Sequence, residues 1–175
     1  MPLRTLLPLI LLFCSPVMAQ AFKPAVDPFV SSESSEQQRI SPLDTGDENK
    51  LALQRQRIVD LASEIGRHLN NDRDNDLAVL QLLLDQRLVT ASDSYLLQAM
   101  GVVLGDIYAR EFQLSWVIYR DKAGKSRALQ LGNSNEVLFP VTMISRRAET
   151  GMHVDVRAVY EQGAEVIRES RSSAY

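Results

Sequence analysis

Met100-Gly101-Val102-Val103-Leu104-Gly105-Asp106-Ile107-Tyr108, followed shortly by Leu114-Ser115-Trp116-Val117-Ile118-Tyr119, is the stretch that decides the fold. In the first half the apolar residues Leu96, Met100, Val103, Leu104, Ile107 and Tyr108 recur at helical spacing. In the second half Leu114, Trp116 and Ile118 alternate with Ser115, Val117 and Tyr119, which is the period of a half-buried strand. A helix over about Asp93–Glu111, with Ser92 as its N-cap, therefore hands over to a strand within a few residues. Gly101, Gly105 and Ala109 form a ridge of small residues on that helix. Glycine costs about 1 kcal/mol in a helix interior relative to alanine. Two on one line predict that another chain segment approaches closely there.

Downstream, Arg120 to Lys125 reads as a hairpin connection with Gly124 free to adopt positive φ. Ser126–Leu131 is the return strand. Gly132-Asn133-Ser134-Asn135 is a second turn, and Glu136–Phe139 is a third short strand. Pro140 removes a donor and opens a short helix over Val141–Thr150, which Gly151 closes. Asp155 caps a last helix, Val156 to about Ile167. Upstream, Thr45 and Glu48 have capping-box spacing. Leu51, Ile58, Leu61, Ile65 and Leu69 then share a face of a helix that ends near Asn70-Asn71. A second helix runs from about Asp74 to Arg87. Helices followed by an antiparallel meander predict an α+β domain: N-terminal helices packed on a small three-stranded meander, with short C-terminal helices.

The domain is expected over residues 45–168. Residues 1–21 read as a secretory signal peptide, with Arg4 as the positive end, an apolar run Leu6–Phe13, and Ala19-Gln20-Ala21 as the cleavage pattern. Cleavage after Ala21 is favoured over Ala19. The run is too short to span a bilayer. Residues 22–44, punctuated by Pro24, Pro28 and Pro42 and rich in serine and glutamate, read as a flexible linker. Residues 169–175 read as a disordered tail. The single cysteine, Cys14, lies inside the leader and follows Phe13 rather than the small residue of a lipidation site. Processing would leave no thiol for disulfide, metal or nucleophile. It would also leave roughly 150 residues, enough for one core. The formal charge, already −3 for the whole chain, would become one unit more negative. That balance argues against general attraction to nucleic acid or anionic lipid.

Chemistry-bearing patterns are sparse. Asp72, Asp74 and Asp76 begin like a calcium loop, but Leu77 and Leu83 stand where that loop needs its glycine and its bidentate glutamate. His68 and His153 have no partner at metal-ligand spacing. No nucleophile elbow or phosphate loop occurs. We therefore expect no catalytic residues, no metal and no cofactor. Arg146 and Arg147 are adjacent, and Arg120, Lys122, Lys125 and Arg127 surround the first hairpin. Each group reads either as an anion or partner site or as ordinary edge and helix-end charge. Trp116 reads as a core anchor, or, if exposed, as a binding surface. The candidate binding residues are Trp116, Arg146 and Arg147.

The segment over about residues 96–160 resembles the bacterial domain-of-unknown-function family 3806. The resemblance rests on Gly101-Val102-Val103-Leu104-Gly105-Asp106, Leu114-Ser115-Trp116-Val117, Gly124, Phe139-Pro140, Ile144-Ser145-Arg146-Arg147 and Val154-Asp155-Val156 before Tyr160. It implies one helix-plus-sheet unit with Gly101 and Gly105 as packing residues. It carries no activity and no catalytic residues with it, and leaves the helices over Thr45–Arg87 outside. The sequence thus predicts an exported, periplasmic protein (secreted where there is no outer membrane). Its expected role is that of a non-enzymatic module binding another envelope protein. The alternatives are an envelope hydrolase using Asp/Glu acid–base chemistry, which would need two carboxylates converging with one pKa raised, and a toxin-neutralising immunity protein.

Overall fold

The computed structural model describes residues 38–132 and 134–173. The expected leader and all but the last few residues of the expected linker lie outside that range. Helix α1 spans Thr45–Glu64, α2 Arg73–Asp85, α3 Ser94–Phe112, α4 Ser145–Glu149 and α5 Val156–Ser173, with a 3-10 turn at Pro140–Thr142. Strands β1 (Arg39–Pro42), β2 (Ser115–Asp121), β3 (Gly124–Gln130) and β4 (Val137–Leu138) form one antiparallel sheet in the order β1-β2-β3-β4. The fold is α+β, as expected, but the sheet has four strands rather than three. The extra strand comes from the end of the segment read as linker, where Arg39–Pro42 pair with Arg120–Val117. Pro42 is compatible with that place because β1 is an edge strand, where a missing donor is tolerated.

Two further boundaries move for identifiable reasons. Asp44, rather than the Thr45–Glu48 box, caps α1, its Oδ1 accepting from the Asp47 amide at 2.8 Å; a carboxylate at an N-cap is at least as good as a hydroxyl. The tail expected from residue 169 is helical to Ser173, and α5 is held there because Arg171 donates to the Phe112 carbonyl at the end of α3. Gly163 does not break α5. A Cβ there would meet the Tyr108 hydroxyl and its Cζ, the latter at 2.7 Å, so the glycine makes room for a buried tyrosine. That tyrosine donates to the carbonyls of Tyr160 and Val159 at 2.9 and 3.2 Å and stacks on the Tyr160 ring.

α3 is the central element. Leu97, Met100, Leu104, Ile107 and Tyr108 are fully buried with residues of α1, α2 and α5. Gln113 takes the left-handed conformation (φ 53) and ends α3, which turns the chain directly into β2. The register opposes Trp116 to Leu129 and Leu129 to Leu138, so these three share the sheet face that joins the main core. Lys125 and Arg127 alternate onto the same face. There they meet α1: Lys125 pairs with Asp44 and Asp47, and Arg127 donates to the buried Gln54 at 2.7 Å. Part of the basic cluster expected around the hairpin is thus spent on docking α1. The simple alternation expected for β2 is blurred, because Val117 and Ile118 are both buried although they face opposite sides. Tyr119, on the Val117 side, is met edge-on by Phe139 at 5.3 Å.

Candidate functional site

Trp116 lies where α3, β2 and the 3-10 turn converge. A Cβ on Gly105 would overlap its indole ring, with Cη2 at 2.7 Å, and the Pro140 ring at 2.8 Å. A Cβ on Gly101 would strike the backbone of Pro140 and Val141. The small-residue ridge therefore serves close packing. The indole is half-buried, and its Nε1 donates to Asp106 Oδ1 at 2.9 Å. The same carboxylate takes a forked bond from Arg55, Nε to Oδ2 at 2.5 Å and Nη2 to Oδ1 at 2.8 Å. Such bidentate pairing is geometrically specific and strong. It ties α1, α3 and β2 together through one acid. Trp116 is thus a core anchor with a satisfied polar edge, and its donor is already engaged.

The two arginines have different surroundings. Arg147 is half-buried between α4 and α5, with Nη1 donating to the Met143 carbonyl at 2.6 Å and Nη2 to Gln162 Oε1 at 2.5 Å. Both acceptors are neutral, and among the described residues Arg147 joins no carboxylate. Arg146 is exposed on the outer side of the same short helix. The Ser94 hydroxyl donates to Glu149 at 3.0 Å, which seats the first turn of α3 against the end of α4. A carboxylate at a helix N-terminus is favoured by the dipole, so Glu149 is accounted for by the fold. Tyr95, next to Ser94, is 54 % exposed and Met152, in the loop after α4, 56 % exposed, two of the large apolar side chains left in solvent among the described residues. Trp116 and the arginines therefore belong to separate neighbourhoods. Tyr95 and Met152 gave no signal in the sequence, because neither belongs to an apolar periodic run.

The acidic residues are committed to structure. Asp72 caps α2 through the Asn75 amide at 2.8 Å, Asp74 pairs with Arg157 and Arg73, and Asp76 is buried, accepting from Arg110 at 3.1 Å and the Asn70 amide at 3.0 Å. Three aspartates at alternate positions thus turn to three different partners, not to one ion. Asp44 and Asp47 converge, but on Lys125, and the backbone amide of Asp47 followed by Lys125 holds the Asp44 carboxyl below its ordinary value. Asp74 is likewise lowered by Arg157 and Arg73, and Asp93 by the hydroxyl and amide of Thr90. Among the described residues no three His, Cys, Asp or Glu side chains gather as a metal would need.

His68 lies in the loop after α1 rather than in its last turn. His153 borders a groove of about 460 Å³ between α2 and the start of α5. The polar groups of that groove serve the fold. Gln81 accepts from the Val156 amide and donates to the Val154 carbonyl, and Asp155 caps α5 through Ala158.

These features define a small α+β domain organised on one glycine-notched helix. Residues 76–160 match the family model described as Domain of unknown function (DUF3806). The match begins inside α2, about 20 residues before the resemblance read from sequence, so α2 belongs to the family unit. A crystal structure of a protein from Bacteroides thetaiotaomicron VPI-5482, at 1.50 Å resolution, is similar in fold with a TM-score of 0.66 and 13 % identity over 76 % of this chain. This chain spans about half of that one, 50 % of its length. No curated protein matches. No helix among the described residues is long and apolar enough to cross a membrane.

Proposed function

We propose that the protein is exported to the cell envelope and that its DUF3806 domain is a non-enzymatic module that binds another envelope protein. The observation that carries the reading is the α4 end. A guanidinium, Arg147, is fixed by two neutral acceptors, Arg146 is exposed on the same short helix, and Tyr95 at the start of α3 and Met152 after α4 are exposed too. Aromatic, methionine and arginine side chains are the types enriched at protein interfaces. Three of the carboxylates do not fit a hydrolase's acid. A general acid needs a raised pKa, whereas Asp44, Asp74 and Asp93 are all lowered. Export is supported by the leader-like composition of residues 1–21.

The test is a photo-crosslinking amino acid placed at Met152 in the full-length protein in its own cells, with fractionation of the products. A discrete crosslinked envelope protein, lost on Arg146→Glu, supports the reading. Crosslinks only to cytoplasmic proteins, or products indifferent to Arg146→Glu, overturn it.

A further inference from the structure

The cations around the first hairpin divide into two sets. Lys125 and Arg127 are engaged by α1, Lys125 with Asp44 and Asp47 and Arg127 with Gln54. Arg39, Arg120 and Lys122 are exposed, and among the described residues none of them pairs with a carboxylate. The register sets Arg39 opposite Arg120 and Arg120 opposite Lys125, so three cations from three adjacent strands line up on one face of the sheet. Directly opposite side chains in an antiparallel pair stand about 5 Å apart at Cβ, and like charges there repel. Lys125 is neutralised by its two aspartates, whereas the Arg39–Arg120 pair keeps its charge. The row ends at β1, the outermost strand on that side among the described residues, with Arg39, Ser41 and Pro42 exposed.

We infer that β1 is a docking edge for an extended acidic segment of a partner protein, which adds to the four-stranded sheet as its next strand and sets a carboxylate opposite Arg39. Side chains of the added strand that fall on the Arg39 face continue the row of Arg39, Arg120 and Lys125 with the opposite charge. Main-chain bonds to the open edge hold the segment, and the two guanidinium forks select its charge. Cations and proline on an edge strand also oppose pairing with another edge of the same kind, so a second copy of β1 is disfavoured and an acidic strand is accepted. A lipid headgroup or a nucleic-acid backbone would engage the arginines and leave the strand edge unpaired. The site shares no residue with the α4 end, so its failure leaves that reading untouched.

The probe is a short fluorescent peptide alternating Glu with Val or Thr, titrated against the full-length chain by anisotropy. Beside it run its Gln counterpart, two versions N-methylated on alternate backbone amides in opposite phase, and vesicles of anionic phospholipid. The acidic peptide should bind, more weakly as salt is raised. The Gln peptide, and the variants Arg39→Glu and Arg120→Glu, should each show binding weaker by about tenfold or more, the scale of a lost charge-assisted contact. Of the two N-methylated versions one should lose binding and the other keep it, because only every second amide of an added strand faces β1. Both variants should keep the parent urea midpoint, since each side chain is exposed and each substitution turns a like-charge cross-strand pair into an opposite one. Equal binding of the Gln peptide, the same affinity for both N-methylated versions, indifference to Arg39→Glu and Arg120→Glu, tighter arginine-dependent binding of the vesicles, or no binding at millimolar protein overturns the inference.

Discussion

Gly101→Ala sets two opposed effects against each other at one atom. Alanine is favoured over glycine in a helix interior by about 1 kcal/mol, so on α3 alone the substitution stabilises. In the folded domain the added Cβ would lie 2.6 Å from the Pro140 carbonyl oxygen and 2.7 Å from the Val141 carbonyl carbon. Ordinary carbon–oxygen contacts sit near 3.3–3.6 Å. The obstacle is backbone, which has no rotamer to change, so α3 and the 3-10 turn must separate by nearly an ångström. Overpacking of this kind costs about 1–3 kcal/mol and occasionally more. Here the upper end applies, because separation also loosens Val102, Val141 and Leu51, which pack as one buried cluster beside the turn. The net expectation is a loss of about 2 kcal/mol. With a urea dependence of about 1–3 kcal/mol per molar, the unfolding midpoint should fall by about 1 M with an unchanged slope. The assay is equilibrium urea unfolding followed by circular dichroism. An unchanged or raised midpoint would refute the close approach of the two backbones and leave the glycine ridge without a structural reason.

Trp116→Phe removes the indole donor from Asp106 and shrinks the anchor between α3 and β2; a cost of about 1.5–3 kcal/mol is expected in the same urea assay, the scale of a lost hydrogen bond to a charged group. Tyr160, pushed up to about 12 by burial and then by its bond to Glu111, should show its sign at high pH. Its contribution is complete below the free phenol value near 10 and is lost as pH rises toward 12, so Tyr160→Phe should flatten the alkaline fall in stability and remove one phase of phenolate absorbance delayed beyond the free value, leaving the still later one of the more deeply buried Tyr108. At the acid end, Asp44, Asp74 and Asp93 are lowered from 3.8. Their contribution is therefore complete above the unfolded carboxylate value and is lost as pH falls below it. The urea midpoint should drop between pH 5 and pH 2, and Asp74→Asn should reduce that drop; a midpoint independent of pH over this window would contradict the ion pairing of Arg73 and Arg157.

The helices and β2–β4 were legible because they rest on local signals: the 3.6-residue recurrence in α3, the glycine of the β2–β3 turn, and proline before the 3-10 turn. β1 was not legible. Four residues with one apolar side chain, Ile40, ending in proline carry no strand signal of their own. They become a strand only because β2 offers an unpaired edge, which is information held elsewhere in the chain. α5 shows the converse. Gly163 reads as a helix breaker in isolation, and its reason is Tyr108, more than fifty residues away.

The same distinction governs the site. Arg146 and Arg147 look equivalent as adjacent residues in sequence, and the short α4 helix separates them. Successive helical residues point about 100° apart, so one is turned into the α5 junction and fixed by neutral acceptors while its neighbour faces solvent. Sequence can nominate such a pair, but which member is ordered, and whether an acid already satisfies it, depends on the residues packed against it. Trp116 makes the point from the other side. It was nominated as the alternative binding surface, and it is Asp106, ten residues earlier on α3, that occupies its donor. A nominated residue becomes a candidate for binding when the fold has positioned it without consuming its charge or its hydrogen bonds. Arg147 meets that condition in its charge and its remaining N–H donors, and the indole of Trp116 does not.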